Sequence, residues 1–310
     1  MKKILLTWAN WMLASDFRKF CHSEFISESS KKDPESKPVL NLIQYSGWQL
    51  FDFEIIPFDK QELDITNISN IEKIVSEIKP DIILNCAAYT QVDNAEDEWK
   101  LLNYEINTLW TYNLAKISKK YNIDYITIST DYVFDWKNQN WYNENDICNP
   151  INDYWMSKYL SEKIALSENK NSLIIRTSWL YGWWKEFKNF VNTMLRLTET
   201  KSELKIVNDQ FGIPTYTKDL SLAISKIIEN IEKYRWKILH FSNSSEKAIT
   251  WFDFASQIFK FSWKEINVIP CSSLDFPTKA TRPTFSKLIN NSDIELRDWK
   301  EGLSDYLNNL

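Results

Sequence analysis

The chain has 310 residues, 44% hydrophobic and 25% charged, with a net charge of −5. This excludes a disordered or fibrous chain and fits one large globular domain or two ordinary ones. No apolar run approaches the ~20 residues that span a bilayer. The opening MKKILLTWANWMLASDF turns polar too soon for a signal peptide, and the acidic balance argues against a nucleic-acid partner.

Taken in chain order, residues 3–7 (KILLT) predict a buried parallel strand and residues 10–20 a helix. The stretch up to Pro38 is polar and rich in Ser, Lys and Glu, so it reads as loop. An apolar pattern resumes at 40–45 and 50–58. Helical spacing then covers 69–78, a strand 81–88, a helix 104–119, a strand 125–129, a helix 157–166 and a strand 172–177. This alternation predicts an α/β fold, a doubly wound, Rossmann-like parallel sheet with helices on both faces. After about residue 180 it weakens into helices at 187–197 and 220–231 and a strand at 238–241, which fits a smaller second lobe. Residues 1–178 are therefore expected to form the sheet-bearing domain, with an insertion at about 20–40. Residues 179–310 are expected to form mainly that second lobe, with about 217–250 returning to the first domain. The four cysteines, Cys21, Cys86, Cys148 and Cys271, contain no C-x-x-C pair, so neither a zinc site nor a disulfide frame is expected. A soluble, cytoplasmic protein follows.

One feature of the composition is anomalous. The chain has 4 glycines and 15 tryptophans, where ordinary usage would give roughly 22 glycines. The first strand runs into T-W-A-N-W-M-L-A, in which Trp8, Trp11 and Ala14 stand at the spacing of a dinucleotide-binding glycine turn. Such a turn needs small residues so that the backbone can touch a pyrophosphate. Indoles there would fill the phosphate space, and an isolated W-x-x-W otherwise reads as a buried aromatic turn.

A second signal is Tyr154-W-M-S-Lys158. Spacing of i, i+4 puts the phenol and the ammonium on one helix face, where the cation is expected to lower the tyrosine pKa and make it a general acid. The pattern gains weight from Ser129-Thr130-Asp131, which closes a predicted strand where open α/β sheets face their ligand crevice.

Together these residues resemble the extended short-chain dehydrogenase/reductases and, within them, the dTDP-4-dehydrorhamnose reductase family. The strings carrying the likeness are LDIT (63–66), CAAYTQVDNAEDE (86–98), STDYVFDW (129–136), NDYWMSKYLSE (152–162), RTSWLYG (176–182), VNDQFGIPTYTKDL (207–220) and ATRPTFSKL (280–288). They cover nearly the whole chain outside about 20–40. The family has glycine where this chain has Trp8, Trp11, Trp110, Trp136 and Trp155. Trp183 or Trp184, Trp236 and Trp263 also stand where glycine is natural. Trp179, Trp251 and Trp299 match true aromatics, while Trp48, Trp99 and Trp141 stay unassigned. So regular an exchange suggests a gene that uses UGA for glycine, read as tryptophan.

The resemblance implies reduction, with NADPH or NADH, of the C4 keto group of dTDP-4-dehydro-L-rhamnose, a step toward surface polysaccharide. It makes Tyr154 the proton donor, Lys158 its pKa modifier and ribose anchor, and Thr130 the group that polarises the carbonyl. Trp8, Asn10, Trp11 and Met12 would meet the pyrophosphate, Asp64 and Ile65 the adenine side, and Ala87, Ala88 and Tyr89 the cofactor at the next strand end. Thr130, Asp131 and Trp179 would contact the sugar nucleotide. For Trp179 a core role stays open, and for Asn107 either a water-mediated or a helix-surface role. His22 and His240 lack ligand-like companions and no required metal is expected. The partner is a nucleotide sugar, with room for a homodimer.

From Trp8 to Asp59 is 51 residues (59 − 8), against about 20 between the glycines and the ribose-binding acid of the fingerprint. An insertion accounts for the excess, and it leaves Asp59 uncertain as a ribose contact. Lys60 beside it would tolerate a 2′-phosphate, so both cofactors stay open. Competing readings are an epimerase or dehydratase of the same superfamily, and a non-catalytic regulatory subunit of the kind that partners methionine adenosyltransferase.

Overall fold

A computed structural model describes residues 1–21, 51, 53–138, 141–182 and 187–310. Most of the expected 20–40 loop, the apolar pattern at 40–45, and His22, Trp48, Trp183 and Trp184 lie outside the described residues.

The chain opens with β1 (Lys2–Thr7), α1 (Met12–Cys21), β2 (Phe53–Phe58), α2 (Ile68–Ile78) and β3 (Ile82–Asn85). A helical run follows, α3 (Lys100–Tyr104), a π-helical turn at Glu105–Leu109, and α4 (Trp110–Lys120). Then come β4 (Asp124–Thr130), α5 (Asp153–Glu168), β5 (Ser172–Thr177), β6 (Leu180–Tyr181), α6 (Phe190–Leu197), β7 (Glu203–Val207), β8 (Phe211–Gly212) and β9 (Thr215–Tyr216). The remainder comprises α7 (Thr217–Glu229), β10 (Lys237–Phe241), β11 (Ile249–Thr250), α8 (Trp251–Phe261), β12 (Asn267–Cys271) and α9 (Trp299–Asn308).

Six strands form one parallel sheet in the order β10-β5-β4-β3-β1-β2. The order reverses between β1 and β3, which places a ligand crevice beyond their carboxyl ends. Side chains alternate between faces with the strand period of two. Ile4 and Leu6 join the core beneath α1 and α7, whereas Leu5 joins the opposite core beneath α2, α4 and α5. A third core, with Tyr181, Val191, Ile206, Phe254, Trp299 and Tyr306, holds the later elements together. The Asn67 and Asn152 side chains cap α2 and α5 by accepting backbone N–H bonds. The second cap starts its helix at Asp153, four residues earlier than the apolar spacing predicts, so Tyr154 sits in the first turn.

Eight non-glycine residues among those described have left-handed backbones. Six of them are Trp8, Trp136, Trp141, Trp179, Trp236 and Trp263, with φ between 45° and 76°. A bulky residue there costs about 1–2 kcal/mol. Six would cost about 6–12 kcal/mol, against a net domain stability of about 5–15 kcal/mol. In addition, the indole N–H groups of Trp8, Trp110, Trp136 and Trp155 are buried with no hydrogen-bond partner among the described residues, each a further cost of ~1–3 kcal/mol.

Candidate active site

A cleft of about 310 Å³ opens at the carboxyl edge of the sheet. β4 delivers Thr130 and Asp131 to it, and the first two turns of α5 deliver Tyr154 and Lys158. Trp11, Met12, Ala88 and Trp179 line the same cleft. Eight of the residues singled out in the sequence therefore converge on one cavity.

Its electrostatics are those of a nearly dry site. Lys158 is 3% exposed and donates from Nζ to the carbonyl oxygen of Ile128 at 2.7 Å. Burial pulls its pKa down to about 8, while Glu162 and Cys86 push it up. Tyr154 departs from the sequence expectation. Burial raises its pKa and the nearby Asp131 raises it further. The expected lowering by Lys158 is not seen: the ammonium is committed to the Ile128 carbonyl, and desolvation of the phenolate dominates. The phenol is thereby held protonated, as a proton donor must be.

Burial also lifts Asp131, to about 7. Its Oδ1 accepts from Thr130 Oγ1 at 3.0 Å, its Oδ2 is buried with no hydrogen bond of normal geometry among the described residues, and the nearby Ser286 hydroxyl favours the carboxylate. Thr130 Oγ1 in turn accepts from the Tyr132 N–H at 3.2 Å.

The Trp8–Trp11 turn borders a second cleft, of about 350 Å³, lined also by Asn10, Asp59, Lys60 and Gln61. Trp8 packs edge-on against Trp110, with ring centroids 6.2 Å apart. Among the described residues Trp11 is the one that lines both clefts. Asp59 accepts from the Gln61 and Glu62 N–H groups at 2.8 and 3.0 Å.

Four sequence-predicted residues line neither cleft. Asp64 is exposed and accepts from the Thr66 N–H and hydroxyl at 3.0 and 2.6 Å, and Ile65 is buried in the core. Ala87 donates its N–H to Asn85 Oδ1 at 3.1 Å. Tyr89 exchanges backbone hydrogen bonds with the Asn107 amide, at 2.9 and 3.2 Å.

Asn107 lies in the π-helical turn and is 1% exposed, so it is not a surface residue. Its amide also bonds Asn103 and Ser157, at 2.8 and 3.0 Å, tying the loop after β3 to α5 directly rather than through water. π-bulges recur at functional sites, and no sequence period announces this one. Sequence reasoning also missed Phe187, Lys188 and Trp251 as cleft residues. Trp251 stacks on Trp179 with centroids 3.5 Å apart and planes 9° apart. Gly212 makes room for that pair, since a Cβ there would lie 2.6 Å from Trp179 Cε2.

Comparison with known proteins adds independent findings. The RmlD substrate binding domain family matches residues 44–310. The spore coat polysaccharide biosynthesis protein SpsK of Bacillus subtilis is 38% identical over 259 residues, which span 82% of this chain and 88% of SpsK. A dTDP-4-dehydrorhamnose reductase of Aggregatibacter actinomycetemcomitans is 36% identical over 267 residues, covering 82% of this chain and 89% of its own. The crystal structure of dTDP-4-dehydrorhamnose reductase from Bacillus anthracis in complex with NADP aligns with a TM-score of 0.84 and 35% identity, over 100% of both chains.

Proposed function

The chain belongs to the RmlD substrate binding domain family, and from that membership we propose that it reduces dTDP-4-dehydro-L-rhamnose to dTDP-L-rhamnose with NADPH or NADH. The observation that carries the reading is the convergence of Thr130, Tyr154 and Lys158 on one buried cleft at the carboxyl edge of a parallel sheet.

When bound, the nicotinamide cofactor supplies the hydride. The remaining work falls to the chain's own groups. Tyr154, kept as a phenol by burial, donates its proton to the oxygen that gains charge at C4. Lys158 spends one N–H on Ile128 and keeps two for the hydroxyls of the nicotinamide ribose. Thr130 donates its hydroxyl hydrogen bond to Asp131 in the free protein. A sugar hydroxyl donating to Asp131 Oδ2 weakens that bond and frees Thr130 to polarise the C4 carbonyl. Trp179 and Trp251 present a stacked aromatic wall to the sugar nucleotide.

Residues 1–178 with about 217–250 form the cofactor unit in this reading, and the rest of 179–310 the substrate lobe. The cofactor-side roles stay with Trp8, Asn10, Trp11, Met12, Asp64, Ile65, Ala87, Ala88 and Tyr89. Trp8 and Trp11 do not suit a pyrophosphate as tryptophans. No described helix is long and apolar enough to cross a membrane, and cytoplasmic residence and a homodimeric state belong to the same proposal. The test is cofactor oxidation on addition of the keto sugar nucleotide, with the product identified as dTDP-L-rhamnose. An enzyme that instead retains the cofactor and interconverts sugar epimers would contradict it.

A further inference from the structure

We infer that the working polypeptide carries glycine at the tryptophans that break backbone and hydrogen-bonding rules, and that this opens the passage between the two clefts. The inference rests on the dinucleotide reading for its consequence but not for its physical grounds. The first mark is conformational. Trp8, Trp136, Trp141, Trp236 and Trp263 take the left-handed region that glycine enters freely and bulky residues avoid. The second mark is chemical. The buried indole N–H groups of Trp8, Trp110, Trp136 and Trp155 have no partner among the described residues, although buried tryptophans ordinarily find one.

Trp8 and Trp136 carry both marks. Trp179 shares the first but is held by stacking on Trp251 and by the bare Gly212 opposite, so it is retained as a true aromatic. Trp251 and Trp299 carry neither mark. Trp11 has no left-handed φ, but it lines both clefts, and a dinucleotide reaching from Lys60 in one to Lys158 in the other would pass it. Glycine there would join them.

Peptide mass mapping of the protein purified from its own organism tests this without any assay of activity. Glycine in the peptides covering positions 8, 11, 110, 136, 141, 155, 236 and 263 is the expected result. Tryptophan in those peptides overturns the inference whatever the enzyme does. A second arm compares two synthetic chains, one as written and one with glycine at those eight positions, by NADPH titration. The glycine chain should bind at least about tenfold more tightly. Equal binding would show that Trp11 does not close the passage.

A different observation carries a second inference. We propose that Glu162 and Arg176 are positioning residues that hold Lys158 and the end of β4 in register. Both are buried, and Arg176 grips Glu162 through Nε and NH2 at 2.8 and 2.7 Å. Ser129, next to Thr130, donates to the same carboxylate at 2.5 Å. Arg176 continues to His240 Nε2 at 3.2 Å, and its guanidinium lies over the Phe134 ring. α5 is thus tied to the carboxyl ends of β4, β5 and β10 one turn beyond Lys158.

The charged or titratable groups around Lys158 are Glu162 and Tyr154 on its own helix, Cys86 after β3 and Asp131 after β4. Removing the Glu162 charge by Glu162→Gln should lower kcat about 10- to 100-fold, with little change in KM. It should also move the alkaline limb of the pH profile to lower pH, because Lys158 loses the carboxylate that favours its ammonium. Glu162→Asp should restore part of both. A Glu162→Gln enzyme with an unmoved alkaline limb, or an Asp variant no better than Gln, would reduce the pair to a structural role.

Discussion

Lys158 points its ammonium at the carbonyl oxygen of Ile128, 2.7 Å away, and not at the phenol of Tyr154 one helical turn earlier. The two residues share a face, as their spacing requires, but their chemistry is separated. The lysine is tethered to the strand end and the tyrosine is left as a buried phenol. Tyr154→Phe should therefore lose most turnover, about 10²–10⁴-fold for a lost general acid, while NADPH affinity measured by titration is kept. Retained turnover would remove Tyr154 from the acid role.

Asp131 is buried, and its pKa is raised to about 7. Its carboxylate form, the better acceptor for a sugar hydroxyl, fills only as pH rises through that value. The KM for the sugar nucleotide should fall as pH climbs from 6 to 8, and Asp131→Asn should flatten that dependence. A pH-independent KM in the unaltered protein would contradict the assignment.

Gly212 gives way to Trp179 at a distance no Cβ tolerates, 2.6 Å. Gly212→Ala should push the indole off Trp251 and raise the KM for the sugar nucleotide more than it changes NADPH affinity. An overpacked site of this kind costs about 1–3 kcal/mol of stability, readable by denaturant unfolding.

His240 is buried between Arg176 NH1 and the Ile289 carbonyl, and burial with the adjacent cation drives its pKa down to about 3, from 6.5. Between those values the unfolded chain binds the proton and the folded chain does not, so the folded state is penalised as pH falls. Stability should rise from pH 3 to 6.5 and level off above it, with a slope of up to about 1.4 kcal/mol per pH unit from this group. His240→Gln should lose that slope in urea unfolding measured across the range.

The sequence made the sheet legible where apolar runs are short and unbroken, as in KILLT and SLIIRT, because a strand buried on both faces has no polar phase. The Tyr154–Lys158 pair and the strand-end Thr130 were legible because local spacing fixes their faces. The Glu162–Arg176 pair was not, since its members lie 14 residues apart and meet only once α5 packs on the sheet. Asn107 was hidden by a π-turn that has no periodic signature. The direction of the tyrosine's pKa shift is not legible from spacing, which reveals a neighbouring charge but not the burial of the phenol. Most of the insertion at 20–40 lies outside the described residues.

The most direct test of the central claim follows NADPH and NADH consumption by the polypeptide isolated from its own source when dTDP-4-dehydro-L-rhamnose is added. The account predicts consumption of one reduced cofactor per dTDP-L-rhamnose formed, abolished by Tyr154→Phe. A folded protein with Thr130, Tyr154 and Lys158 intact that oxidises neither cofactor with this substrate would contradict it.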